Sequence, residues 1–178
     1  MNPVKRTVLA ALFAALCVVV PMAFHAIPDG GSIFLPMHIP VLLCGMVCGW
    51  PYGLICGVMG PGLSSLLTGM PRAAVLPGMM VECAVYGLVS GLMLKFVRTK
   101  NTRLDLYISL ITAMIAGRVI SGIVKALIFN PGITFTYWIT ASFITALPGI
   151  AIQLVLVPLI VNLLMKSRQI PARYVAGE

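Results

Sequence analysis

No aspartate, glutamate, lysine or arginine interrupts the chain from Leu35 to Pro71, and the stretch is crowded with glycine and proline. At roughly 17–20 apolar residues per crossing it is long enough to pass through a bilayer twice. Pro51 lacks a backbone N–H and disfavours helix in the residue before it, so the sequence predicts one helix ending near Trp50 and another starting at Pro51. Trp50 and Tyr52 suit a lipid–water boundary, where an apolar ring with a polar edge is comfortable. Gly45, Gly49, Gly53 and Gly57 recur every four residues across this fold point and predict close helix packing. The stretch reads as a tight helical hairpin inside a membrane.

The rest of the chain agrees with that class. Of its 178 residues, 60% are hydrophobic and only 9% charged, against about 25% charged in a soluble domain. A soluble fold would lack a polar coat, and a β-barrel would need an in/out alternation that these continuous runs do not have. The expected fold is an all-α integral membrane protein, a six-transmembrane-helix bundle forming one transmembrane domain over residues 1–178. Its helices are expected at about 7–24, 35–50, 51–68, 73–95, 104–128 and 141–165. Asp29-Gly30-Gly31 and Asn130-Pro131-Gly132 signal turns. Tyr137 and Trp138 belong to an interfacial segment, and Pro148 and Pro158 are expected to kink the last helix. The first apolar run is the alternative place for a signal peptide cut near Ala23-Phe24-His25-Ala26, but it exceeds the usual 7–15 residues of such a core.

The net charge is +8. The basic residues sit mostly between apolar runs, which points to membrane topology and a lipid bilayer rather than to nucleic acid. With six helices, nine of the twelve lysines and arginines (Lys5, Arg6, Lys95, Arg98, Lys100, Arg103, Lys166, Arg168 and Arg173) fall on one side, and only Arg72 falls in the loops of the other. Cationic loops stay in the cytoplasm, so both termini are expected there. The five cysteines all lie inside apolar runs, and an odd buried set is no disulfide framework. Cys44 and Cys48 share a helix face, yet with no second ligand pair they read as small apolar filling and not as a metal site.

Ionisable residues within membrane spans are costly and are functional candidates by default. Three occur: Glu82, Arg118 and Lys125. At ~1.5 Å per residue, Glu82 lies roughly 12 Å and Arg118 roughly 15 Å below the outer ends of their helices, so the two are within reach of each other. Lys125 is two turns further along the face of Arg118, nearer the exterior. Ala113, Gly117 and Ser121 form part of a small-residue strip near that face. One reading is a structural Glu82–Arg118 ion pair with Lys125 snorkelling to the interface. The other is an outward-facing pocket in which Arg118 and Lys125 hold a carboxylate or similar anionic or carbonyl group, and Glu82 accepts hydrogen bonds. Tyr86 lies one turn below Glu82. Gln153, at middle depth, suits a heterocycle, which makes a nucleobase-like compound the runner-up. His38 and Trp138 are expected near the outer rim. The chain has no G-x4-G-K-[ST] loop for ATP, no H-E-x-x-H and no G-x-S-x-G, and no cofactor is expected.

The small size, the pairs Ala10/Ala14 and Ala11/Ala15, the run Leu35-Pro36-Met37-His38-Ile39-Pro40 before a glycine-rich hairpin, and Leu66-Leu67-Thr68-Gly69-Met70-Pro71 together resemble the S components of energy-coupling factor (ECF) vitamin transporters. The resemblance covers nearly the whole chain. It implies a subunit of a bacterial-type cell membrane that binds a micronutrient from outside, with the first loop as a gate. It also implies docking on a transmembrane T component through the alanine strip, and two cytoplasmic ATPases that drive inward delivery. Pockets diverge within the family, so the charged residues alone must argue the substrate. Two other classes stay open at the level of sequence: a small intramembrane enzyme, thinly supported by a lone Glu82, and a structural subunit without a ligand.

Overall fold

Asn2 starts the first helix ahead of where hydropathy alone places it. Its side chain accepts the Val4 N–H at 3.2 Å, and Pro3 fills a first-turn position where a missing N–H is harmless. The computed structural model describes residues 1–24, 27, 30–129 and 134–171, of which Phe129, Phe135 and Tyr137 are described by their backbone alone. Asp29, the Asn130-Pro131-Gly132 turn, residues His25 and Ala26 and the tail with Arg173 lie outside the described residues.

The helices are α1 (Pro3–Met22), α2 (Gly30–Phe34), α3 (His38–Cys48), α4 (Trp50–Thr68), α5 (Leu76–Phe96), α6 (Thr102–Val124), α7 (Phe135–Ile139) and α8 (Leu147–Lys166). Two π-helical turns, Lys125–Phe129 and Thr140–Ile144, follow α6 and α7. No strand occurs among the described residues. Five segments are long and apolar enough to cross a membrane: Pro3–Met22, Gly30–Cys48, Leu76–Phe96, Thr102–Ile128 and Leu147–Lys166. The protein is a multi-pass membrane protein. At 19 residues α4 is as long, but its glycines, prolines and serines dilute its hydropathy.

Several boundaries differ from expectation for local reasons. Instead of a helix from residue 35, Gly30 opens α2, and the chain breaks at Leu35, whose φ is 50°, before Pro36. The hairpin folds at Gly49, with φ 98° and ψ 166°, not at Trp50-Pro51. Only glycine adopts that conformation cheaply. Pro51 therefore sits in the first turn of α4 and starts that helix instead of stopping the previous one. Pro148 likewise sits in the first turn of α8 and makes no kink there, while Pro158 lies inside it.

α3 is the centre of the bundle, in contact with α1, α4, α5 and α8. α5 packs on α3, α4 and α6. A side chain at Gly45 or Gly53 would run into the Gly87 carbonyl, and one at Gly57 into the backbone of Cys83, so α3 and α4 meet α5 backbone to backbone. The basic segments gather at one end. Arg6, Gly49, Trp50 and Lys95 line one hollow of about 440 Å³, and Lys5 Nζ donates to Gln169 Oε1 at 3.4 Å. At this end Asp105, fully buried, accepts from the N–H and hydroxyl of Thr99 at 2.9 and 2.7 Å and ties down the connector between α5 and α6. The opposite end, called the far end here, carries α2, the turn after α4 and the π-helical segments.

Candidate functional site

Four helices each bring one polar side chain to a common level. Counting from the far end, Glu82 is six residues into α5, Gln153 six into α8, Arg118 six before the end of α6, and His38 eight into Gly30–Cys48. At ~1.5 Å per residue all four lie roughly 9–12 Å below the far end.

Glu82 is the hub. Its Oε2 lies 3.1 Å from Lys125 Nζ and accepts from Ser121 Oγ at 3.3 Å. Its Oε1 accepts from the Tyr86 hydroxyl at 3.4 Å and stands 3.6 Å from His38 Nε2. His38 and the Tyr86 ring are 5.1 Å apart, centroid to centroid, and both are buried. Gly117 leaves room for the Tyr86 ring against α6, and the stem of Lys125 lies across Gly78, where a Cβ would collide with it.

Arg118 does not join this cluster. Its guanidinium carbon sits 5.4 Å from the centroid of the Phe143 ring, the residue is 3% exposed, and Nη2 is buried without a hydrogen-bond partner. Trp138 meets the same Phe143 ring edge-on at 5.8 Å and packs on Gly122. Gln153 is fully buried, and neither of its amide atoms has a partner.

The expected Glu82–Arg118 pair is thus replaced by Glu82–Lys125, and Lys125 neither snorkels nor stands free for an anion. The reason is the lean of helical side chains toward the helix N-terminus. α5 and α6 are antiparallel, so Glu82 leans toward the far end while Lys125 and Arg118 lean away from it. Lys125 starts two turns nearer the far end and comes down to meet Glu82, and Arg118 passes below. His38 is not at the rim. The break at Leu35 lies above it, and it is buried at the level of Glu82. Sequence reasoning missed Phe143 and Gly78 and read Ser121 only as part of a small-residue strip. The spacing of Arg118, Ser121 and Lys125, three and four residues apart on one helix face, was the available signal.

A second feature lies on the other side of the bundle. A groove of about 730 Å³ between α1 and α4 is lined by Ala10, Ala11, Ala14 and Ala15 on one wall and by Ile55, Met59, Leu63 and Leu67 on the other. Ala11 and Ala15 are exposed, whereas Ala10 and Ala14 are half-buried against the core.

Neither the curated proteins nor the solved structures gave a match to this chain. A family model did. The model for the substrate-specific component of ECF transporters matches residues 5–161, nearly the whole of the helical bundle including the polar level and the alanine groove. The chain belongs to the family of ECF transporter substrate-specific components.

Proposed function

We propose that this subunit captures a small carboxylate-bearing micronutrient from the outside of a bacterial-type cell membrane, at the level of His38, Glu82, Arg118 and Gln153. Members of its family are transporter subunits, not enzymes; they take a small-molecule substrate and work with a T component and ATPases. One observation carries the reading of the ligand. Glu82 is engaged by Lys125, so the buried Arg118 has no counter-ion among the described residues. A charge left so within a membrane costs ~2.5–3.5 kcal/mol or more, and an anionic ligand removes that cost. Pantothenate is one vitamin with such a group. A heterocycle read by Glu82 and Gln153 is the second reading. The unpartnered amide of Gln153 favours it, but Glu82, already faced by Lys125, Ser121, Tyr86 and His38, does not.

The topology that serves this role has α4 as a sixth span and both termini in the cytoplasm, supported by nine basic residues on one side against one on the other. The far end then faces outward. The exposed register Ala11/Ala15, with the α4 wall of the groove, is the face for the T component, because only small side chains let another helix approach closely. The chain has no nucleotide-binding loop, so ATPases on that partner supply the energy.

The test is the small molecule that co-purifies with the protein, identified by mass spectrometry. An organic acid is expected, held about 30-fold or more weakly by Arg118→Gln, as for a buried charge-assisted contact. A neutral or cationic molecule, or an acid held equally by a folded Arg118→Gln variant, would overturn the reading.

A further inference from the structure

Six buried side-chain polar atoms among the described residues lack a hydrogen-bond partner, and five of them belong to His38, Arg118 and Gln153 on the one polar level. Native interiors leave few such atoms, and a cluster of them marks a place where something else binds. Gln153 is the most informative. Both its Nε2 and its Oε1 are buried and unpartnered, so the conclusion does not depend on which way the amide is turned. It stands on α8, which packs against both α3 and α6, the helices of His38 and Arg118.

We propose that Gln153 reads a flat donor–acceptor edge on the same ligand whose acid Arg118 holds: a lactam, ureido, ring-imide or primary carboxamide group. The inference rests on the reading of the site given above and narrows it. A primary amide side chain offers one donor and one acceptor side by side. A carboxylate has no donor for Oε1. A hydroxyl cannot reach both atoms in line. The N–H and C=O of an open secondary amide point in opposite directions, because the peptide-type bond is trans. A group whose N–H and C=O lie on the same edge forms two parallel hydrogen bonds with Gln153 and leaves neither atom unmet. Arg118, stacked on Phe143, is then left to hold the acid. The ligand is an acid carrying a cis-amide edge, and pantothenate, with its open amide, falls outside the class.

The experiment is thermal stabilisation and equilibrium binding on the full-length protein in detergent with five acids. Biotin, folate and orotate carry both an acid and a same-edge N–H/C=O; lipoate and pantothenate carry the acid without that edge. Biotin and lipoate share the same acid chain, so they differ where the inference needs them to. At least one edge-bearing acid is expected to bind, and Gln153→Leu to weaken it roughly 10- to 100-fold, the loss of two hydrogen bonds. Each variant is checked for an unchanged melting profile without ligand. An edge-free acid as the tightest binder, or equal binding of the edge-bearing acid by Gln153→Leu, overturns the inference and leaves the anion site standing, provided Arg118→Gln weakens that acid. Binding by none of the five overturns the inference together with the anion reading, and so does binding that Arg118→Gln leaves intact.

Discussion

α1 and the segment Gly30–Cys48 are both apolar enough to span a membrane, yet only 11% of the first is buried within the protein against 67% of the second. Hydropathy separates membrane from water and says nothing about which span forms the core. What distinguishes the two is where their small residues point. In α3 and its neighbour α4, Gly45, Gly53 and Gly57 face α5 and bring backbones together. In α1, Ala11 and Ala15 face outward over a groove that none of the described residues fills. The same chemical device, a strip of small residues, serves internal packing in α3 and α4 and is left open in α1.

Three tests, with five substitutions between them, sharpen or break that contrast. The largest effect is expected from Glu82→Ala, which leaves Lys125 without its partner and removes the carboxylate that faces His38 of α3. The pair is part-buried, and a charge left unpaired within a membrane span costs about 2.5–3.5 kcal/mol, read as a lowered melting temperature in detergent. An unchanged melting temperature means that the polar level does not hold α3 in the core. Next comes a matched pair. Gly45→Val forces a side chain against Ser90 and the Gly87 carbonyl and should cost about 1–3 kcal/mol, while Ala15→Val on α1 should stay within about 0.5 kcal/mol. Equal losses at the two positions would erase the distinction. The smallest effect on stability is expected from Ala11→Trp and Ala15→Trp. Melting temperature and ligand affinity of the isolated subunit should not change, but co-purification with the T component should be lost. Normal assembly of both variants assigns the open face to lipid.

The residue types of the site were legible and their partners were not. Glu82, Arg118 and Lys125 stand out in any apolar span, and Gln153 and Tyr86 follow from their depth. Depth along a helix axis is a property of Cα positions, however, and side chains several ångströms long lean one way on each helix. On antiparallel helices that lean adds, so the pairing shifted from Arg118 to Lys125. His38 was misplaced for a different reason. The break at Leu35 sets a short helix, α2, above it, and a positive φ at a leucine carries no sequence signal. Proline was a reliable sign of a helix end but an ambiguous one. Pro51 and Pro148 both begin helices, and at the hairpin the neighbouring Gly49 makes the turn. The two π-helical turns left no mark in the hydropathy pattern at all.

The seam joining α3, α4 and α5 also restricts what can move. A packed interface switches between arrangements when its side chains have a second way to interlock. Where Gly45 and Gly53 face Gly87 the backbones meet with only the short Ser90 side chain beside them, which leaves few rotamers to exchange. The close seam joins these three helices into one packed unit. If the proposed ligand enters from the far end, the pieces outside that seam are the ones left to move for it: α2, the π-helical turns, α7 and the upper turns of α6 and α8.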